Sequence, residues 1–593
     1  MTTLLHAVRR LLRLAAHCDA RRLTHAVLLM TVGYLATPLI AVSLKELTTA
    51  AIDGTGSAAT WLALTTALLL VVELTMNHFA HLSYFELGEL EELSLQAEVI
   101  SIAHGDRGLE KLDRADVADT LTLIREELPR TRAALEAVLQ LGGLGLQMAV
   151  TAVLLGFLDP WLLLLPLFAV VPVLVGNRAQ LLVDRGKEAT APENRLGRHL
   201  LELATTHASV KEVRLSGAAS VLIERHGRDW RGATAVLARA HAKSGLLRAA
   251  GQLAFAGAYG GAIYLVARQT VNAGAGAGIG DVILVITLAA QVSLQVSSAL
   301  ALLSVLQGAG RTLQRLDGLR EPSPAGTAGA VVPEVMTAGI RLEGVTFRYP
   351  GQERPVLDDV TLDIPAGAAL AVVGENGAGK STLVKLLCGL YRPTAGRILV
   401  DGVDLEECDP QLWQRRVATL FQDFARLELR LRDNVGIGDL ERLDDDAALT
   451  QALEAADCGP ALARVDGDLD GLLGRGYGDG AELSGGQWQK LGLARALMRR
   501  RPLLVALDEP ASALDATAEH ALFERFADLA AQARADTGAI TLLVSHRFST
   551  VRMADLIVVL EGGRVSQVGS HAELAATAGL YAELYRLQAR VYR

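Results

Sequence analysis

Six apolar runs, at 23–43, 59–77, 136–158, 161–178, 247–267 and 282–306, each approach the length a helix needs to cross a bilayer. After about residue 310 the pattern changes to short apolar stretches set between turns and charged segments, as in an α/β domain. Between the second and third runs, and again between the fourth and fifth, lie long charged segments, 78–135 and 179–246, with helical spacing and no spanning run. They are read as membrane helices that continue into the cytosol and turn back. The turning points are expected near Leu112–Asp116 and Lys211–Leu215, and each such elbow is expected either to dock on a soluble domain or to be a solvated hairpin. The stretch from Glu321 to Ala330, with Pro333 beyond it, is rich in Pro, Gly and small residues and marks a boundary.

The expected organisation is a cytoplasmic amphipathic segment (1–22), a six-helix transmembrane domain (23–319), a linker (320–338) and an α/β nucleotide-binding domain (339–593). The fold class is therefore a multidomain membrane protein, an all-α transmembrane domain whose six long helices extend into the cytosol, joined to an α/β phosphate-loop domain. Arg9, Arg10, Arg13, Arg21 and Arg22 precede the first span against Asp19 alone, which places the N-terminus in the cytoplasm by the positive-inside rule. The first run is of full spanning length and no small-residue cleavage site follows it, so a removed signal is not expected.

Polar side chains inside spans have no partner in hydrocarbon. Thr287, Gln291, Gln295 and Ser298 recur at helical spacing on one face of the sixth span. That face either lines a substrate cavity or hydrogen-bonds between helices, and Glu73, Gln140 and Gln147 share the ambiguity.

The second half carries recognisable chemistry. Ala369–Val373 is a buried strand, and Gly374-Glu375-Asn376-Gly377-Ala378-Gly379-Lys380-Ser381, followed by Thr382, satisfies GxxxxGK[ST]. Its glycines let amide groups curl around phosphates, Lys380 brings a point charge, and the Ser381 hydroxyl suits Mg²⁺. Leu503–Leu507 is an apolar strand ending in Asp508 and Glu509. Asp508 can reach the Mg²⁺ shell, and Glu509 can orient or deprotonate an attacking water. Tyr349 is the choice for stacking on adenine, although Phe347 shares its strand face and spacing alone does not separate the two rings.

Taken with Leu483-Ser484-Gly485-Gly486-Gln487 and His546 in order, these residues make 340–575 resemble the nucleotide-binding domain of ATP-binding cassette (ABC) transporters. The whole chain resembles the exporter type, with six spans fused ahead of one cassette. The resemblance implies ATP and Mg²⁺ as cofactors and ATP hydrolysis coupled to transport. It implies that Gln422 links Mg²⁺ to the membrane domain, that Asp515 communicates across a dimer and that His546 senses the γ-phosphate. It also implies that Ser484 to Gln487 bind nucleotide held by a second subunit, a homodimer being expected because no catalytic element is degenerate. Departures occur at Leu473–Gly480, where many exporters have an acidic-glycine loop, and at Trp488, where a basic residue is more usual. Phe421–Phe424, Arg432–Asn434 and Lys211–Leu215 are similar to bacterial peptide and lanthipeptide exporters. The expected cargo is a peptide or peptide-like product crossing the bacterial plasma membrane. The same architecture also serves importers of siderophore-like or cofactor-like solutes and lipid or multidrug exporters. With the first span at residue 23, a leader peptidase ahead of it is not expected.

Composition adds limits. Half of the 593 residues are hydrophobic (51%) and the net charge is −9, with no basic block that would suggest nucleic acid. Four scattered cysteines, Cys18, Cys388, Cys408 and Cys458, form no CxxC pair, which fits a reducing compartment without a zinc site.

Overall fold

The apolar runs are embedded in helices far longer than the runs themselves. The computed structural model describes residues 2–105, 108–273, 278–320, 331–510 and 516–591. It divides into two units, Met1–Ile102 with Thr120–Arg320, and Ala103–Asp119 with Glu321–Arg593. The first unit is helical: α1 (Thr2–Ile52), α2 (Gly56–Gly105), α3 (Ala115–Glu127), α4 (Thr131–Leu158), α5 (Leu164–Phe168), α6 (Val170–Ala189), α7 (Ala191–Thr205), α8 (His207–Leu215), α9 (Ala219–Ala273) and α10 (Ile279–Leu319). At 1.5 Å per residue a 50-residue helix such as α2 is about 75 Å long, more than twice a hydrocarbon core. The charged excursions are thus continuations of the membrane helices.

Among the described residues, five helices are long and apolar enough to cross a membrane, where six were expected. The exception is the run at 161–178, which is divided among a 3₁₀ turn (Pro160–Leu163), α5 and α6. Prolines at 160, 166 and 172 remove the amide donors that one continuous helix would use. α1 is itself two helices meeting at Asp19, whose backbone is extended (φ −159°, ψ 94°). The Asp19 carboxylate accepts the amides of Arg21 and Arg22, both at 3.0 Å, and so caps the span that follows. The helix before it is held by Arg10, which pairs with Asp317 on α10 at 2.6 Å and with Glu98 on α2 at 2.9 Å. Arg132 on α4 grips Glu92 on α2 at 2.6 Å. Residues 274–277, between α9 and α10, lie outside the described residues.

The second unit has two sheets. One is antiparallel, β2 (Leu357–Pro365), β1 (Gly339–Phe347), β4 (Ala395–Val400) and β5 (Val403–Asp404) in that spatial order. The other runs β10 (Arg564–Gly569), β9 (Leu556–Glu561), β3 (Ala369–Gly374), β8 (Ile540–Val544), β7 (Leu504–Asp508) and β6 (Val417–Leu420). It is parallel except for β10, and α11 (Lys380–Leu387) follows β3. Strands β3, β7 and β8 are apolar and buried along nearly their whole length, as a sheet covered on both faces requires.

Part of the expected linker belongs to this unit. Val332 and Met336 are in its core, and the Asp401 carboxylate accepts the amides of Thr337, Ala338 and Gly339, each at 2.8 Å. Residues 321–330 lie outside the described residues. The first elbow is in this unit too. Leu109 donates its amide to the Leu390 carbonyl at 2.8 Å and packs on the core, Glu110 accepts the Arg392 amide at 2.6 Å, and Tyr391 donates its hydroxyl to Asp113. Docking, one of the two expectations for this segment, is what the structure shows.

Candidate nucleotide-binding site

Four loops leave the same edge of the parallel sheet, and strand order decides what they bring together. Because β3, β8, β7 and β6 are neighbours in that order, the segments after them lie side by side: Gly374–Ser381, His546, Asp508 with Glu509, and Gln422. This is the carboxyl edge of an open α/β sheet, where ligands bind. An open cleft of ≈ 630 Å³ there is lined by Val356, Asn376, Gly377, Gly379, Lys380, Ser381, Thr382, Gln422, Glu509 and His546.

The loop after β3 needs its glycines. Gly379 has φ +98°, and a Cβ there would stand 2.6 Å from Leu357 Cδ2, so both conformation and space exclude a side chain. α11 then begins at Lys380 and turns its amide end to the cleft. Lys380 is buried, and its Nζ donates to the carbonyls of Gly374 and Glu375, both at 2.9 Å. Burial pushes its ammonium below the usual lysine range, while Glu509 and Asp508 pull the other way.

Asp508 ends β7 and is 2% exposed. Its Oδ1 has no hydrogen-bond partner, burial pushes its carboxyl up, and a hydrogen bond with Ser381 opposes that rise. A buried orphan carboxylate oxygen beside a hydroxyl, with the Gln422 amide nearby, is a set of hard oxygen donors that fits Mg²⁺.

Glu509 is held from every side. It adopts a left-handed backbone (φ +48°), uncommon for a residue with a side chain. Its amide donates to Val544 on β8 at 3.0 Å, and its carbonyl accepts Gln489 Nε2 at 3.4 Å. Its carboxylate accepts Gln422 Nε2 at 3.0 Å and faces His546 Nδ1 at 3.5 Å. Sequence reasoning found the carboxylate but missed Gln489 and the backbone strain. The one available signal was a polar residue at 489 on an otherwise buried helix face, where its neighbours Trp488 and Leu491 are apolar.

The other expected residues are placed as follows. Ser484 caps the helix Gly485–Leu497 in a reciprocal capping box, its amide donating to Gln487 Oε1 at 2.8 Å and its hydroxyl accepting the Gln487 amide at 3.3 Å. Ser484, Gly485, Gly486 and Gln487 do not line the cleft. Tyr349 is half-buried beside it, its hydroxyl 3.1 Å from Thr382 Oγ1 and its ring edge-on to Phe347 and Tyr391. Phe347 is a core residue, 1% exposed. Asp515 lies outside the described residues. In the helical unit, Thr287 bonds its own helix, Gln291 reaches the Thr37 carbonyl on α1 at 3.3 Å, Gln295 is buried and Ser298 is exposed.

With this geometry in hand, comparison with known proteins is informative. Residues 357–512 match the family described as ABC transporter. The ATP-dependent lipid A-core flippase of Chromohalobacter salexigens is 36% identical over 309 residues, 52% of this chain and 51% of that protein. The subtilin transport ATP-binding protein SpaT of Bacillus subtilis is 34% identical over 266 residues, 45% of this chain and 42% of SpaT. The nisin transport ATP-binding protein NisT of Lactococcus lactis is 35% identical over 246 residues, 42% of this chain and 40% of NisT. The chain thus spans about half the length, or less, of the curated relatives it matches. A solved structure described as a bacterial Atm1-family ABC exporter with ATP bound superposes with a TM-score of 0.77, covering 96% of this chain and 99% of that one at 21% identity, which speaks to fold alone. Residues 357–512 thus match the ABC transporter family, and the chain as a whole shares its fold, a helical domain followed by one cassette, with that ATP-bound structure.

Proposed function

We propose that two copies of this chain form an ATP-driven exporter of a peptide or peptide-like product, working by alternating access. The observation that carries the reading is the division of the site. The cleft gathers Lys380, Ser381, Gln422, Glu509 and His546, with Asp508 buried behind Ser381, while Ser484 to Gln487 stand at a capped helix start and do not line it. That helix start points amides and a positive dipole end outward, suited to the γ-phosphate of ATP held by a second subunit. No catalytic element is degenerate, which favours a homodimer with two competent sites.

In this reading Gly374 to Thr382 cradle the phosphates of ATP and Lys380 Nζ leaves the loop carbonyls for the phosphate oxygens. Ser381, Gln422 and Asp508 hold Mg²⁺, which supplies charge neutralisation at the phosphates. Glu509 orients and deprotonates the attacking water, and His546, against its carboxylate, senses whether the γ-phosphate is present. Tyr349 packs against the adenine side, and Asp515 carries the state of one site to the other. ATP favours the closed pair of cassettes, hydrolysis releases it, and the difference drives the membrane helices. The elbow at 109–113, bonded to Leu390, Tyr391 and Arg392, receives that movement. Leu215 of the second elbow is 90% exposed, which supports a docking place on the partner. The orientation that follows has the N-terminus and cassette in the bacterial cytoplasm.

Gln489 supports the catalytic glutamate through its backbone. Gln489→Leu is expected to lower kcat about tenfold with the KM for ATP unchanged, read from phosphate release across ATP concentrations. A rise in KM alone would reduce the contact to packing.

The peptide reading rests on likeness to SpaT and NisT, whereas likeness to lipid A-core flippases favours a lipid as cargo. Inverted vesicles containing the chain, given dye-labelled amphipathic peptide and ATP, are expected to accumulate the peptide. ATP-dependent loss from the lumen would make the protein an importer. Translocation of a fluorescent lipid without peptide uptake would make it a flippase.

A further inference from the structure

The helical unit contains a polar cluster beside a proline inside α1. Pro38 lies inside that helix and has no amide to donate, so one carbonyl a turn earlier lacks its helical partner. Next to it, the Thr37 hydroxyl donates to Glu73 Oε1 on α2 at 2.7 Å, and the Thr37 carbonyl accepts Gln291 Nε2 from α10 at 3.3 Å. The cluster is not satisfied. Gln291 Oε1 is buried without a partner, and one turn further along the same face Gln295, 4% exposed, has neither its Oε1 nor its Nε2 bonded. Such orphaned amides are costly unless a ligand or water completes them.

The segments of the surrounding helices nearest this cluster carry no basic residue. No Lys or Arg occurs at 23–44, 56–88, 133–158 or 279–310, while Glu73, Glu86, Glu136 and Asp281 lie within three of those segments, Glu86 being paired with Arg22 at 3.0 Å. Asp281, the other acid at the far end of α10, is already paired with Lys45 at 2.9 Å. A membrane carboxylate without a basic partner, next to unbonded amide oxygens, calls for a cation that also donates hydrogen bonds. An ammonium group offers three N–H donors, and the Glu73 carboxylate, Gln291 Oε1 and Gln295 Oε1 are three acceptors.

We infer that Glu73, Thr37, Gln291 and Gln295 form a subsite for an ammonium or guanidinium group on an amphipathic cargo, with Glu73 setting the charge preference. This rests on the export reading above and extends it to the chemical class of the cargo. Thr37 holds the Glu73 carboxylate in place through its hydroxyl. Gln295 supplies the remaining amide contacts from α10.

The test uses the full chain in lipid nanodiscs without nucleotide. Three dye-labelled ten-residue amphipathic peptides are compared by fluorescence anisotropy, identical except for two positions that carry Lys, norleucine or Glu. The Lys peptide is expected to bind about tenfold more tightly than the norleucine peptide, the loss of one charge-assisted contact being worth that factor. Glu73→Gln should bring the ratio near one by weakening the Lys peptide alone. Thr37→Val, which keeps the side-chain shape, should lower the ratio in the same direction and guards against a folding defect in the first variant. A Lys preference that survives both substitutions overturns the subsite. Equal binding of all three peptides overturns the subsite but leaves export standing. Binding of none of them removes the peptide-export reading and the subsite together.

Discussion

Glu509→Gln is expected to retain ATP binding and to lose steady hydrolysis by a factor on the order of 10²–10⁴, the usual worth of a positioned general base. The substitution keeps volume, and the amide oxygen can still accept from Gln422, now bonded at 3.0 Å, so the cleft is expected to keep its shape. The left-handed backbone at 509 is as tolerable for Gln as for Glu, so folding should not change. What disappears is the group that takes a proton from water and the charge that faces His546 at 3.5 Å. Phosphate release per dimer and equilibrium binding of a fluorescent ATP analogue would be measured on the same preparation. Turnover above a tenth of the unmodified rate would sink the catalytic assignment.

A second large effect is expected from distributing two defects over two chains. Lys380→Ala removes the phosphate cation. Gly485→Glu puts a carboxylate at the start of the helix Gly485–Leu497, where a Cβ meets nothing within 4 Å and an acid suits the helix dipole. The helix should therefore keep its fold while the new charge repels a phosphate. If each ATP lies between Lys380 of one subunit and Ser484–Gln487 of the other, a dimer pairing a Lys380→Ala chain with a Gly485→Glu chain concentrates both defects in one site. Its other site is intact. A dimer pairing an unaltered chain with one carrying both substitutions has a defect in each site. Co-purified with different tags, the first dimer should hydrolyse ATP at least about tenfold faster than the second, since loss of one charge contact at each remaining site costs that much or more. The reverse order, with the second dimer faster, would mean that Ser484–Gln487 serve their own cleft.

Much of the nucleotide site was legible because its chemistry is local. Gly374 to Ser381 is a contiguous loop whose glycine spacing states its use, and Asp508 with Glu509 closes an apolar strand that only a buried parallel position explains. The long apolar runs likewise announced membrane helices by length. The run at 161–178 is helical but interrupted: hydropathy does not register the hydrogen bonds that prolines remove, and the structure divides it between α5 and α6. The linker was read too long at its end. Small and breaking residues look alike whether they are loose or, as at Thr337 to Gly339, tied to a carboxylate sixty-odd residues away on Asp401.

The sequence by itself determined which groups are present: a glycine-rich phosphate-loop pattern, two acids closing an apolar strand, a histidine after another strand and the segment Leu483–Gln487, each specified by neighbours within a few residues. Only the tertiary structure decided which of them meet. Strand order β3-β8-β7-β6 is a matter of long-range pairing, and it alone puts His546 and Gln422 on the two oxygens of Glu509 while leaving Ser484–Gln487 elsewhere. The same holds within the helical unit, where the contact of Thr37 with both Glu73 and Gln291 joins three helices far apart in the chain. Local spacing places a residue on a face of its helix or strand. Packing between elements chooses what that face will touch.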